Sequence, residues 1–294
     1  MLQTWFILAL LSAIFFAVKD ILAKKWLSKD TNPKQLLIGE YLLLFGILSV
    51  FLLNKVNFNS FSELWWLYIL KSIVLGGSTL IYFSMLKKYE ISSVSPLINL
   101  SPLFLLFFSF IFLSEMVTST QIFGIGLMIA STYFLESTMH HHNKKNPHKA
   151  HIKSILSKDR YFFVSTIILL ILMSFAAIFD KMIMKTVDVF TNMFFTSIII
   201  LGIMVSLNLK HLNIFHKIIT LPVFFVATFS IISSFLILSA MATPNSLICL
   251  IIPIRRCSTL FSSFFGGLLF HEKHMIRKMV AIIGMVVSLF FIVS

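Results

Sequence analysis

The chain is a succession of long apolar runs separated by polar breaks. Ten of these runs approach the roughly 20 residues that a helix needs to cross the hydrocarbon core of a bilayer. They lie at residues 3–23, 35–53, 64–86, 92–113, 119–138, 161–182, 191–209, 221–242, 246–269 and 276–293. Apolar residues are continuous within the runs, whereas a membrane β-barrel needs apolar and polar positions to alternate. The pattern therefore predicts an all-α membrane protein with ten transmembrane helices.

One long polar break divides the ten runs into five and five. Residues 139–160 are polar, basic and rich in histidine, whereas the other breaks are mostly short. We expect a first five-helix repeat at 1–138, a linker at 139–160 and a second five-helix repeat at 161–294. Because five is an odd number, two copies of such a unit must cross the membrane in opposite orientations.

Matching residues in the two halves support a duplication of this kind. Pro96 and Glu115 in the first half have counterparts in Pro253 and Glu272, each 157 residues later. Inverted repeats are a recurrent architecture of transporters, in which the substrate binds at the repeat interface near the middle of the membrane. The duplication therefore indicates a transporter.

Composition agrees with a membrane protein. Hydrophobic residues make up 58% of the 294 residues and charged residues only 12%, against about a quarter charged in soluble domains. The net charge of +13 is better explained by basic cytoplasmic loops than by nucleic-acid binding. The expected partners are the lipid bilayer and a small-molecule substrate, with a homodimer left open. The first run has neither a basic start nor a small-residue cleavage site, so we expect it to remain as a span.

The distribution of basic residues predicts the orientation of the chain. Of the 24 Lys and Arg residues, four lie inside spans and only Lys55, Lys181 and Lys185 lie towards one side of the membrane. The remaining 17 lie in loops on the other side. Since Lys and Arg collect in cytoplasmic loops, this bias predicts that the linker is cytoplasmic and that both termini lie outside.

The fourth and fifth runs, SPLINLSPLFLLFFSFIFLSEMVTSTQIFGIGLMIASTYFL, resemble the repeat of EamA-type transporters of the drug/metabolite transporter superfamily. The ninth and tenth runs are similar to it as well, which makes both repeats EamA-like. The family pattern has a glycine before the glutamate, whereas Ser114 and His271 stand there, and it often has an arginine in the second span, where this chain has Glu40.

This resemblance implies a secondary transporter of small metabolites, amino acids or other anionic metabolites among them, in a bacterial cytoplasmic membrane. It also implies cytoplasmic termini, contrary to the charge bias, so the orientation stays open between the two. A flippase for lipid-linked substrates with the same fold, and a membrane scaffold that transports nothing, are the alternatives.

Ionisable and polar side chains inside spans are candidates for the site because burying them in a bilayer is costly. The substrate-binding candidates are Arg255 and Arg256 beside Pro253, Asn99 at the position that matches Arg256, and Lys71 with Tyr82. The alternatives are that an arginine pairs with an acid and only locks the fold, and that Lys71 snorkels to the interface.

A second group of charged residues could couple transport to an ion or form structural ion pairs. Asp20 and Asp180 recur at an offset of 160 residues, which suggests a paired role across the repeat interface. Glu40 is expected to pair with Lys19 or with one of the two arginines. Proton coupling and structural salt bridges both remain open for these carboxylates and for Lys19.

The remaining predictions concern shape and cofactors. Pro96 and Pro253 are candidate hinges, with static kinks as the alternative. Glu115 and Glu272 each precede the start of the next helix, where a carboxylate can cap free backbone amides. Histidines 140–151 are interpreted as a solvated loop, and no metal site, cofactor motif or enzyme motif is predicted.

Overall fold

A computed structural model describes residues 4–27, 32–51, 53–88, 98, 100–140, 160–208, 220–258, 261, 283–285 and 287–292. Over these residues the chain is helical and contains no strand. The α-helices are α1 (Thr4–Leu27), α2 (Pro33–Phe51), α3 (Asn59–Lys88), α4 (Ser101–Leu113), α5 (Ser119–His140), α6 (Arg160–Met184), α7 (Val189–Asn208), α8 (Leu221–Ala242) and α9 (Ile248–Arg255). A C-terminal helical segment follows at residues 283–285 and 287–292.

Helices α1, α2, α3, α6, α7 and α8 are long and apolar enough to cross a membrane, and α4, α5 and the C-terminal segment contain shorter apolar stretches. Each helix coincides with an apolar run of the sequence, since burial of apolar side chains in lipid needs no polar face. The prediction of an all-helical, multi-pass membrane protein is confirmed. The predicted spans at 92–113 and 246–269 fall only partly within the described residues.

The apolar side chains on the surface show where lipid contacts the protein. Phe107, Phe123 and Phe290 are 60%, 59% and 73% exposed, an arrangement that a water-soluble surface would not tolerate over so many positions. Trp65 and Trp66 are also exposed near the start of α3, where aromatic side chains suit the membrane interface. These side chains therefore face the bilayer.

Helix α3 begins earlier than the sequence predicts. The third apolar run starts at residue 64, whereas α3 starts at Asn59 and has non-helical backbone angles at Leu64 (φ −117°, ψ 15°). The five residues before this kink include the charged Glu63, so hydropathy alone excludes them from the span. The apolar part of α3 thus begins at the kink.

Helices of the first half pack mainly against helices of the second half. Helix α1 lies against α8 and α9, α2 against α7 and α8, α3 against α6 and α7, and α4 against α6 and α9. Between α1 and α8 the contact is close, because Ser12 and Ser233 donate hydrogen bonds to each other's carbonyl oxygens at 2.9 and 3.0 Å. Small residues allow such approach in membranes. The two halves are therefore interleaved and share one core.

Helix α5 approaches the C-terminal segment at Gly124. A Cβ atom at this position would lie 2.9 Å from the Phe291 Cβ atom and 3.0 Å from the Ile292 backbone nitrogen. Neither neighbour can move without shifting the backbone, so the position requires glycine. A Cβ atom at Gly126 would meet no other atom within 4 Å, so that position carries no such requirement.

The turn between α4 and α5 contains a residue in the left-handed region. Ser114 has φ 54° and ψ 32°, and its amide donates to the Ser109 carbonyl oxygen at the end of α4. This geometry is a common helix C-cap, in which glycine is preferred because it has no Cβ atom. It gives a physical reason for the glycine of the family pattern, which this chain replaces with Ser114.

We expect Ser114→Gly to stabilise the protein by about 1 kcal/mol, because glycine relieves the cost of a left-handed backbone. The measurement is the apparent melting temperature in detergent, which should rise. Asn245 is a matched control with φ 60°, and since asparagine tolerates this region, Asn245→Gly should change stability less. A melting temperature that falls in Ser114→Gly would contradict the assignment.

Candidate functional site

A cavity of about 170 Å³ lies between helices of both halves. Its wall is partly apolar, with Phe16, Leu75, Met173 and Met193 among the lining residues. It also contains most of the in-span polar residues that the sequence singles out, namely Lys19, Glu40, Lys71, Tyr82, Asp180, Arg255 and Arg256. Residues far apart in the sequence are thus brought to one place. Asn99 and Pro96 lie outside the described residues.

Lys71 is held by a complete set of partners from the second half. Its ammonium group lies 2.5 Å from Asp180 Oδ1 and donates to Asn192 Oδ1 at 2.6 Å and to Thr196 Oγ1 at 2.8 Å. The Asn192 amide also donates to Asp180 at 3.2 Å. An ammonium group has three donors, so these contacts satisfy Lys71. It neither snorkels nor offers a hydrogen to a ligand, and it joins α3 to α6 and α7.

Lys19 and Arg255 are held by aromatic rings. The Lys19 ammonium lies 4.9 Å from the Phe16 ring centre and 5.2 Å from that of Phe83. The Arg255 guanidinium carbon lies 4.5 Å from the centre of the same Phe16 ring, and the Arg255 Nε atom is buried without a hydrogen-bond partner among the described residues. A ring face attracts a cation but accepts no strong hydrogen bond. Both side chains therefore keep donors for a ligand in the cavity.

Arg256 makes a contact that ties α9 to the start of α4. Its Nε and Nη2 atoms donate to Ser101 Oγ at 3.1 and 2.8 Å. Ser174 on α6 in turn donates to the Ser101 carbonyl oxygen at 3.4 Å. Arg256 lines the cavity, but this hydrogen bonding gives it a structural task that Arg255 does not have.

Glu40 is an acidic residue in the wall of the same cavity. The carboxylate is buried, its Oε1 atom accepts a hydrogen bond from the Ser230 hydroxyl, and its Oε2 atom has no hydrogen-bond partner among the described residues. The sequence predicts an ion pair with Lys19, Arg255 or Arg256. Within the described part of the chain Glu40 bonds to Ser230 instead, because α2 packs beside α8 at this level.

Asp20 and Asp180 do not share a site. Asp180 is bound by Lys71 and Asn192, whereas Asp20 interacts with the side chain of Tyr82 and lies in the field of Lys19. The two carboxylates thus have different partners, and their paired role stays a prediction. Asp180 is near the end of α6 and points to α3, and Asp20 is near the end of α1, whose main partner is α8.

Glu115 caps a helix, but not the one that follows it in the chain. Its Oε1 and Oε2 atoms accept hydrogen bonds from the amides of Ile248 and Cys249, at 2.9 and 3.2 Å, at the start of α9. The start of α5 is capped by Thr118 and Gln121, whose side chains each accept the other's backbone amide. The expectation for Glu115 is thus corrected, and Glu272 lies outside the described residues.

Pro253 is buried in the interior of α9, which ends two residues later at Arg255. The Arg256 amide donates to the carbonyl oxygens of Ile252 and Pro253 at 3.1 and 2.9 Å. The tightened last turn places the two arginines at the end of the helix, beside the cavity. The hinge role of Pro253 stays a prediction.

Several residues of the site were not singled out in the sequence. Phe16, Ser101 and Ser230 look like ordinary members of apolar runs. Asn192 and Thr196 carry a usable signal, because two polar residues four positions apart in an apolar helix lie on one face. That signal shows that α7 has a polar face, but it does not identify Lys71 as its partner.

The described helices thus enclose a buried, charged cavity, and six of them are long and apolar enough to cross a membrane. Residues 3–137 match the model of the EamA-like transporter family, which confirms the resemblance over this part of the chain.

The fold is also found in a solved structure. A protein of known crystal structure is similar to this chain with a TM-score of 0.69, over 98% of this chain and 94% of the other, at 12% sequence identity. At such identity the similarity shows the fold alone. No curated protein matches the sequence.

We expect Lys71→Met to destabilise the protein by about 3 kcal/mol, because it leaves a carboxylate without its partner in a buried pair. This value is at the low end of the range for breaking a buried ion pair, because the Asp180 side chain is 15% exposed. Unfolding in mixed micelles measures the change, and combining Lys71→Met with Asp180→Leu should recover most of it.

Lys185→Met is the matched control for this experiment, since Lys185 is exposed one turn beyond Lys181. It should change stability by no more than about 0.5 kcal/mol. Equal effects of Lys71→Met and Lys185→Met would show that the pair contributes nothing.

Proposed function

We propose that the protein is a secondary transporter that moves small metabolites across the membrane by alternating access. The observation that carries this proposal is the cavity, which Lys19 lines and in which Arg255 Nε and Glu40 Oε2 have no hydrogen-bond partner among the described residues. Burying polar atoms without hydrogen-bond partners costs free energy. A ligand that formed hydrogen bonds with these atoms would recover that free energy on binding.

The architecture we propose is ten transmembrane helices in two inverted five-helix repeats, at 1–138 and 161–294 around the linker 139–160. The helix bounds support it: the first two helices of each half start 156 residues apart, at Thr4 and Arg160 and at Pro33 and Val189. The packing supports it too, because exchanging α1, α2, α3 and α4 with α6, α7, α8 and α9 leaves the set of contacts between these helices of the two halves unchanged.

One pair of side-chain contacts fits the same symmetry. Lys24 on α1 donates to the Leu86 carbonyl oxygen near the end of α3, at 2.7 Å. Lys181 on α6 donates to the Met241 carbonyl oxygen near the end of α8, also at 2.7 Å. The two lysines are 157 residues apart, the offset that relates Glu115 to Glu272. An offset of 157 residues supports the repeat. At this offset Asp20 and Asp180, which are 160 residues apart, are not equivalent positions.

The substrate we propose carries an anionic group and a hydrogen-bond donor. A carboxylate or phosphate suits Lys19 and Arg255, and an ammonium or amide group suits Glu40 Oε2. Amino acids and related anionic metabolites have this pattern. The volume of about 170 Å³ is below the roughly 300 Å³ at which pockets for drug-sized ligands begin, which favours a small substrate.

Of the two acidic residues that line the cavity, Glu40 is the one we propose for coupling to a proton gradient. Asp180, the other, is committed to an ion pair with Lys71 at 2.5 Å. Glu40 has one oxygen committed to Ser230 and the other open to the cavity, so the same atom can accept a proton or the substrate. We propose a bacterial cytoplasmic membrane as the location.

Counterflow in proteoliposomes tests the transport proposal. Vesicles loaded with a candidate amino acid should take up the labelled compound, and Arg255→Gln should reduce the apparent affinity about ten- to hundred-fold, the range for a lost hydrogen bond to a charged group. Lys185→Gln, on an exposed lysine, should leave uptake unchanged. An unaltered affinity in Arg255→Gln would refute the anion site.

The coupling role of Glu40 predicts a separate outcome. Glu40→Gln keeps an oxygen for Ser230 but cannot exchange a proton, so accumulation driven by an imposed pH gradient should be lost while counterflow continues. Asp180→Asn, which changes a residue already paired with Lys71, should lower stability. If Glu40→Gln still accumulates substrate with the gradient, another group carries the proton.

A further inference from the structure

We propose that Glu115, Lys181 and Met241 form a gate that closes one end of the cavity. The gate lies between the central cavity and a second, surface pocket. It goes beyond the proposed function because it assigns the control of access to residues that have no role in the proposed binding of substrate.

The second pocket has a volume of about 510 Å³. It lies among the turn after α4, the end of α6 and the turn between α8 and α9. Met241 lines both this pocket and the central cavity. Met241 therefore lies between the two spaces, at the place where a gate would act.

Met241 is fixed in place by a buried lysine. The Lys181 ammonium donates to the Met241 carbonyl oxygen at 2.7 Å and to Ser246 Oγ at 2.8 Å. The Ser246 hydroxyl also donates to the carbonyl oxygens of Met241 at 3.3 Å and Thr243 at 2.8 Å. Lys181 is only 7% exposed. These hydrogen bonds hold the end of α8 and the following turn as one unit.

Glu115 supplies the connection across the two halves. It reaches from the turn after α4 and accepts the first two amides of α9, Ile248 and Cys249. The carboxylate is 7% exposed and lines the second pocket together with Lys181. The α4–α5 turn is thereby held over the start of α9, next to Met241.

This closure can be reversed because it consists of polar contacts at the rim of an open pocket. Free amides at a helix start and a carboxylate can both be satisfied by water once they separate. At the other end of α9, Arg256 remains bound to Ser101. Release of Glu115 would therefore free the start of α9 while its end stays attached, which is the motion that a gate requires.

Thiol labelling tests the gate without measuring transport. Ser234 lines the cavity, but not the second pocket, and Ser234→Cys in a protein lacking Cys249 and Cys257 gives a single reporter. A membrane-impermeant thiol reagent added from the side of the second pocket should label it at least tenfold faster in Glu115→Ala, since the loss of even one charge-assisted hydrogen bond shifts an equilibrium by about that factor.

Graded variants separate gating from loss of fold. Glu115→Gln keeps one acceptor oxygen and should give an intermediate rate, and Lys181→Met should also speed labelling. Glu63→Ala, which alters an exposed carboxylate that lines neither pocket, should label like the parent. Size-exclusion profiles identify any variant that does not fold.

Two results would overturn the gate. One is an unchanged labelling rate in well-folded Glu115→Ala and Lys181→Met. The other is faster labelling from both sides of the membrane equally, which would indicate general loosening. Because these rates need no substrate, a failed gate leaves the transport proposal standing, and absence of transport leaves the labelling result interpretable.

Discussion

The cost of holding charge within a bilayer is the constraint on which this structure depends. Each charged side chain in a span must find a partner, or its burial opposes folding. Lys71 has three partners and Arg256 is bound to Ser101, so these two are satisfied by the protein. Lys19 and Arg255 rest on aromatic rings, and Glu40 keeps one oxygen unpaired among the described residues. The division separates charged residues that hold the fold from those to which we assign a ligand in the proposed function.

The satisfied charges also explain why the halves interleave. The Lys71 network joins α3 to α6 and α7, and the Glu40–Ser230 hydrogen bond joins α2 to α8. Under the proposed repeat, the α7–α3 and α2–α8 contacts are equivalent, yet one is built on a lysine and the other on a glutamate. Because these two equivalent contacts are built on charges of opposite sign, the cavity is asymmetric, with a closed polar cluster on one side and a carboxylate with an unpaired oxygen among the described residues on the other.

Hydropathy was sufficient to predict the helices because a lipid-exposed span must be apolar along its length. The charged residues inside those spans predicted the cavity, because a charge is costly in lipid and is therefore placed inside the protein. Their partners could not be predicted, because the rotation of each helix about its axis leaves no signal in a continuously apolar run. Glu40 was assigned to a cation and binds Ser230, and Glu115 was assigned to α5 and caps α9. Both errors concern contacts between the two halves. A single sequence does not show which residues of one half lie beside which residues of the other.

The placement of α4 and α9 relates the site to movement. Ser101 at the start of α4 binds Arg256 just after α9, and Glu115 just after α4 binds Ile248 at the start of α9. The two helices therefore run antiparallel and are fastened at both ends. Since α9 delivers Arg255 to the cavity, a tilt of α9 changes both access to the cavity and the position of a substrate donor. Substrate that held Arg255 would then favour one tilt over the other, which is the differential binding that any ligand-driven change of state requires.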